Sequence, residues 1–361
     1  MQERTPQDST PDHQATVPRA SRLVPTLTVI YHPELPVLGR QLPVTPEAPV
    51  ELGRGAEALG PGALDDGRLS RRHCVIRAEG RAEVVIEDQQ SRNGTAVNGR
   101  RVSSATLRHG DVITLGKLTL LYTLQPRGFS PSPNPRFVGS SPALLAMIEA
   151  LNTLAPGSAP ALLVGESGVG RRKAAAELHR VSRHRGPYGV VDCAAESVPS
   201  WERIRAKVGQ GVITFAHIEL APMPLQRAIS DHLTSLGDGE GLRILATSGG
   251  DLRRLARGGA FDADLAEHLS RRVIPVPTLR ERAEDLIPLA FAFGRAASND
   301  TLRPLSQRLT LALSLHPWPQ NLRELKDTMT RVCAEQAHEP QLKAPGWLLQ
   351  QLPGRVEGVD A

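Results

Sequence analysis

Residues 126–136, PRGFSPSPNPR, hold four prolines, and neither a helix nor an interior sheet strand can run through such a stretch. It divides the chain into two lengths of different texture, and a semi-rigid spacer that holds two units apart is expected there. Before it, from Leu27 to about Gln125, come short β-type runs, LTVIY, PVEL, HCVIRA, AEVVIED and VITLGKLTLLYTL, broken by Gly, Asp and Asn. That is the pattern of an antiparallel β-sandwich. After it, apolar runs at 161–165 (ALLVG), 189–194 (GVVDCA), 211–218 (GVITFAHI), 243–248 (RILATS) and 273–277 (VIPVP) alternate with helical stretches. Strands apolar on both faces and joined by helical crossovers specify a parallel α/β sheet. From Arg280 to about Ala337 only helical patterns remain, as in a small lid. The expected layout is therefore multidomain: a polar, disordered tail over 1–24, an all-β domain over 25–126, a linker over 127–136, an α/β domain over 137–279, a helical subdomain over 280–340 and a second tail over 341–361.

Composition narrows the setting. The 43 Lys and Arg exceed the 38 Asp and Glu, a net charge of +5 that suits acidic ligands without calling for nucleic acid. Cys74, Cys193 and Cys333 are odd in number, far apart and in no CxxC pair, which argues against a disulfide framework or a zinc site and fits a reducing cytoplasm. No run approaches the ~20 apolar residues that span a bilayer, and the first residues lack the apolar centre of a signal peptide. Neither membrane insertion nor export is expected.

Four loop motifs follow one another in the β-rich half: LGRG at 52–55, LSRRHC at 69–74, SRNGTAVNG at 91–99 and LRHGDVITLG at 107–116. In content and spacing they resemble the FHA (forkhead-associated) family, whose sandwich grips phosphothreonine with the loops at one end. The residue types suit that ligand, because a phosphothreonine brings close to two negative charges and three strong acceptor oxygens. The resemblance implies that Arg54 and Ser70 contact the phosphate, that Arg71 and Arg92 line it, that Arg68 helps to hold the peptide, and that Asn93 bonds the peptide backbone. It implies that His73 and Asn98 brace the loops. Any one of these residues taken alone would more simply be a solvated arginine or a capping group.

The second half resembles the AAA+ domain of sigma-54-dependent transcription activators, from about Phe137 to Ala337. The motifs are FVGSSPALLAMIEAL at 137–151, GESGVGRR at 165–172, VDCAA at 191–195, LRERAEDLIPLA at 279–290 and HPWPQNLREL at 316–325. A phosphate-binding loop presents backbone N–H groups at a helix N-terminus and adds a lysine. Gly165, Glu166, Ser167, Gly168, Val169 and Gly170 form the corresponding loop, but Arg171 stands where the resemblance places the lysine, and a forked guanidinium is not a compact ammonium. Lys173 lies two positions on, about 200° around a helix. Ala216 and His217 occupy the places of the two acidic residues that serve metal and water, and Asp262 and His268 those of the trans-acting arginines, while the sensor arginine is kept as Arg323. Only about fifteen residues separate VDCAA from GVITF, where the family carries a longer insert with its GAFTGA loop, and no helix-turn-helix motif follows the lid.

The expectations are thus a phosphothreonine-dependent adaptor or regulator with no catalytic residues and no metal ligands. It would need no cofactor, with ATP or ADP bound weakly if at all, and would not bind DNA site-specifically. Its partner would be a protein phosphorylated by a Ser/Thr kinase, with self-association or association with related AAA+ regulators as further options. Two alternatives stay open: a sigma-54 regulator with residual ATP binding or turnover, and a second domain kept only as a relic of its fold.

Overall fold

A computed structural model describes residues 23–79, 83–129, 135–182, 186–195, 199–235 and 241–352; most of the two expected tails, 1–22 and 353–361, lies outside them. The first domain is built from strands β1 (Leu23–Tyr31), β2 (Gln41–Pro43), β3 (Val50–Leu52), β4 (Cys74–Glu79), β5 (Glu83–Asp88), β6 (Thr95–Val97), β7 (Arg100–Val102), β8 (Ser104–Thr106), β9 (Val112–Leu115) and β10 (Leu118–Pro126). They form two antiparallel sheets in the orders β2-β1-β10-β9-β6-β7 and β3-β4-β5-β8. Leu27, Val29, Ile113, Leu115, Leu118, Leu120 and Tyr122 of the first sheet meet Ile76 and Ile86 of the second in a dry core. The expected sandwich is what forms.

The second domain runs α1 (Pro142–Leu154), β11 (Ala161–Val164), α2 (Arg171–Val181), β12 (Tyr188–Asp192), α3 (Trp201–Val208), β13 (Val212–Ala216), α4 (Met223–Ser235), β14 (Arg243–Ser248), α5 (Leu252–Arg257), α6 (Ala263–Leu269) and β15 (Val273–Pro275). The sheet is parallel in the order β12-β13-β14-β11-β15. Leu163, Leu245 and Ile274 pack under α1 and α2 on one face. On the other, Leu162, Phe215 and Ile244 pack against α3, α4 and α6. Both faces are covered, which is why the strands read as unbroken apolar runs. The lid consists of α7 (Leu286–Ala297), α8 (Gln307–Leu315), α9 (Asn321–Glu335) and α10 (Gly346–Leu349). Asp285, 1% exposed, ties it to the α/β domain by accepting from the Ser140 and Ser141 amides, the Ser141 hydroxyl and Arg282 Nε.

Two expectations about the layout are corrected. The proline-rich stretch does not hold the units apart: Ile30, Val112 and Leu121, from β1, β9 and β10, are buried in one cluster with Leu305, Leu309 and Leu313 of the lid. These residues alternate with the sandwich-core positions, so the outer face of the sheet carries three apolar side chains among buried threonines and is covered by the lid. Fully burying such a side chain contributes about 1.5–3 kcal/mol, which a polar linker cannot outweigh. Gln307 Nε2 adds a polar clasp, donating to the Gly116 carbonyl at 3.0 Å and to Thr119 Oγ1 at 3.3 Å. The tail expected from residue 341 also starts later, because Leu342, Leu348 and Leu352 are 1%, 0% and 8% exposed within the lid core. Four residues of α10 are too few to register as a helical period.

Candidate functional site

At one end of the sandwich, the loops after β3, before β4 and before β6 converge. Gly53 makes this possible: a Cβ there would lie 2.1 Å from the Arg71 carbonyl oxygen, so only glycine lets the end of β3 come this close. The Arg54 amide then donates to the Ser70 carbonyl at 2.9 Å. His73, fully buried, joins the other two loops. Its Nδ1 accepts from the Ser70 amide at 3.2 Å, so Nε2 carries the ring proton and donates to the Gly94 carbonyl at 3.2 Å. Ser70 Oγ accepts from the Arg92 amide at 3.0 Å, a bond that leaves the hydroxyl's own proton to give. Asn93 Nδ2 donates to the Arg68 carbonyl at 2.6 Å.

Arg54, Arg68, Arg71, Arg92 and Asn93 are exposed, and none of the four guanidinium groups is in an ion pair among the described residues. Four exposed guanidinium groups without an ion pair on these converging loops give this end of the sandwich a cationic surface. Asn98 sits farther back in the left-handed conformation, φ 51°, donating from Nδ2 to Asp111 Oδ1 and accepting from the Val112 amide. His73 and Asn98 thus each hydrogen-bond across neighbouring loop segments.

Two further braces lie outside the expected set. Asp88 accepts from the Ser91 amide and hydroxyl and from the Thr95 hydroxyl, fixing the loop that carries Arg92 and Asn93. Burial alone would raise its pKa, but these donors outweigh it and hold the carboxyl below the usual range. Asp66 accepts from the Arg68 and Lys117 amides, tying the loop that carries Arg68 to the β9–β10 turn. The aspartate three residues ahead of Ser91 and the Asp-Gly pair at 66–67 are both readable turn signals.

The second site lies between the parallel sheet and the lid. Gly168 has φ +77°, and a Cβ on it would sit 2.0 Å from the Gln320 carbonyl, so the loop is pressed onto the start of α9. Glu166 accepts from Arg280 Nη2 at 2.6 Å and Asn321 Nδ2 at 3.0 Å, and Asn321 also holds the Ser167 carbonyl. Gly170 caps α2 with φ +99°, and Val169 is buried under it. Arg171 is 9% exposed, and its Nη1 has no hydrogen-bond partner. Burial depresses its pKa, which the Glu219 carboxylate opposes and the Arg172 and Arg323 charges reinforce.

The backbone loop fits a phosphate chain. The metal side does not. Ala216 offers no ligand atom, and His217, φ 55°, donates from Nδ1 to Asp192 Oδ1 at 3.0 Å. Asp192 is also ion-paired with Arg172, and the His217 bond first, then the Ala194 amide and Arg172, hold it at about 2 against burial. Glu219, which no motif marked, accepts from the Gly249 amide through Oε1, while its Oε2 is buried without a partner. Asp262 caps α6 by accepting from the Leu265 amide, and His268 pairs through Nε2 with the Thr234 hydroxyl. Both places expected to lack the trans-acting arginines thus do local structural work.

This layout of two sites defines a class: an FHA domain followed by a sigma-54 interaction AAA+ domain with its lid. Family comparison agrees, with the FHA domain matching residues 50–116, the sigma-54 interaction domain 138–279 and the AAA+ ATPase lid domain 280–344. Among curated relatives, the nitric oxide reductase transcription regulator NorR1 of Cupriavidus necator is 32% identical over 57% of this chain and 46% of its own. The Psp operon transcriptional activator of Escherichia coli is 28% identical over 54% of this chain and 70% of its own. The chain therefore spans about half the length of the first curated relatives it matches. Among solved structures, NtrX from Brucella abortus in complex with ATP superposes with a TM-score of 0.53 at 22% identity, over 61% of this chain and 56% of that one, which supports the fold. Among the described residues, no helix is long and apolar enough to cross a membrane.

Proposed function

We propose that the protein is a phosphothreonine-dependent adaptor or regulator whose AAA+ domain serves as an assembly surface and does not hydrolyse ATP. The observation that carries this reading is the contrast between the two sites. At the FHA end the charged groups stand unpaired toward solvent. At the AAA+ end the protein's own charges engage one another: Arg172 and His217 on Asp192, Arg280 on Glu166, and Arg171 opposite Glu219. Phosphoryl transfer needs metal across the outer phosphates and an arginine from a neighbouring subunit, the latter alone worth 10³–10⁵ in rate. Ala216, His217, Asp262 and His268 supply none of these.

If a nucleotide binds, the amides of the 165–170 loop and Arg171 would hold its phosphates, and Arg323 would face the same loop across Gly168. A bound nucleotide supplies a phosphoanhydride, and this chain's residues would position it without activating water. The test is phosphate release and nucleotide affinity measured on one preparation, with and without Mg²⁺. Turnover no faster than in Arg171→Ala supports the proposal. Magnesium-dependent turnover that vanishes in Arg171→Ala would favour the second reading, a sigma-54 transcription regulator like those it resembles, for which the preserved loop and Arg323 speak.

A further inference from the structure

A cleft of about 600 Å³ opens between the sandwich and the lid. It shares no lining residue with the 165–170 loop or with the exposed guanidinium groups at the FHA end. Ligand pockets commonly enclose roughly 300–1,000 Å³, so the cleft has room for a small molecule. Val102 of β7 and Ala105 of β8 give one apolar wall, and Ala283, Leu286 and Leu315 of the lid give the other. The clasp of Gln307 on Gly116 and Thr119 holds the two walls in place, so the cleft is formed before any ligand arrives.

The polar groups on this lining are lopsided. Asp111 is the one carboxylate among the described lining residues, and both of its oxygens are engaged, Oδ1 by Asn98 Nδ2 and Oδ2 by the Arg108 amide. The donors are only partly spent. Arg280 gives Nη2 to Glu166 and Nη1 to the Pro317 carbonyl, and His316 is held at Nδ1 by the Trp318 amide and at Nε2 by Gln351. Arg100, by contrast, is exposed and in no ion pair among the described residues. His109 accepts from the Leu124 amide through Nδ1 at 3.0 Å, so Nε2 carries the ring proton and is left to donate. A cation and a neutral N–H donor beside apolar walls, with no free carboxylate to repel an anion, match an acid with an apolar body.

We propose that the cleft between sandwich and lid binds a small aromatic carboxylate. The carboxylate accepts from the Arg100 guanidinium and His109 Nε2 on the sandwich wall, and the ring system lies against Ala283, Leu286 and Leu315 on the lid wall. Water leaves both walls as the ring enters, and the gain scales with the apolar area covered. A hydrogen bond from a guanidinium to a carboxylate is stronger than one to a neutral acceptor, so an acid is preferred over its own amide. The ligand touches both domains at once and binds the folded chain alone, so it raises the melting temperature as its concentration rises. The assignment is independent of the phosphothreonine and nucleotide readings above.

The experiment uses the full chain and two fluorescent probes of one shape, dansylglycine and its neutral amide, dansylglycinamide. Dansylglycine is expected to saturate a single site, to brighten as its ring leaves water and to raise Tm, and dansylglycinamide to bind about tenfold more weakly. Arg100→Gln changes an exposed side chain that the fold does not need; it is expected to weaken dansylglycine about tenfold and to leave dansylglycinamide as it was. Ser314→Phe puts a ring into the cleft from a half-buried position of α8 and is expected to abolish binding of both probes. Equal affinity for the acid and the amide overturns the anionic assignment, and so does an unchanged dansylglycine affinity in Arg100→Gln. Dansylglycine binding that survives Ser314→Phe undiminished puts the probe elsewhere and overturns the site. No saturable binding of dansylglycine by the full chain overturns the proposal outright.

Discussion

Two groups at the binding end act through opposite means, Arg54 by its charge and Gly53 by having no side chain. A charge-assisted hydrogen bond contributes about 1.5–3 kcal/mol, so Arg54→Ala is expected to weaken phosphothreonine-peptide binding by the full chain at least tenfold, measured by fluorescence anisotropy. Gly53→Ala is expected to weaken it comparably with every ligand-facing side chain intact, because the added carbon pushes the Arg54 loop off the Arg71 carbonyl. Unchanged affinity in Gly53→Ala would show that the loops adapt. The thiols give a separate check on packing. Burial first, then the Asp88 charge, pushes Cys74 up to about 12, and burial with the Asp192 and Glu219 charges does the same for Cys193. Neither is expected to react with iodoacetamide at pH 8 until the protein unfolds. At this scale the sequence was legible where a motif carries the family resemblance: Arg54, Ser70, His73 and Asn93 lie on loops that converge in the structure. Glu219 was not legible, since one carboxylate two residues beyond His217 carries no pattern, and only the fold brings it to Gly249.

Among the elements, β10 was read correctly as a strand and incompletely as a surface. In its run LTLLYTL, Leu121 stands between the core residues Leu120 and Tyr122, so one large apolar side chain faces away from the sandwich core. The proline-rich stretch after it argued for separation and obscured that signal. The cover is the lid, and Glu284 lies where lid and sheet meet. Both of its carboxyl oxygens are shut off from water without a well-aligned hydrogen bond. Burial raises its pKa, Asp285 adds to this, and its own amide and the Thr123 hydroxyl offset it only in part. A carboxyl raised in the folded state binds protons more tightly there than in the unfolded chain. Its penalty is therefore full above the folded pKa and fades as pH falls toward the unfolded value near 4.5. Glu284→Gln is expected to raise Tm at pH 7 and to lose that advantage near pH 4. Equal melting curves at pH 7 would mean that water reaches the group.

For the whole molecule, the sandwich and the lid share one buried apolar cluster among the described residues. Residues 23–126 expressed alone would expose Ile30, Val112 and Leu121, and are expected to bind more 8-anilinonaphthalene-1-sulfonate and to melt below the full chain. Matching melts would indicate that the sandwich needs no cover. The clasp of Gln307 on Gly116 and Thr119 has a consequence for assembly. A partner that engages the FHA loops and the α/β sheet at once meets two epitopes at a set separation, as on the jaws of a locked caliper. Avidity then depends on the spacing between the partner's own two contact points, falling away on either side of one matched length, whereas lengthening residues 127–136 of this chain leaves that length unaltered.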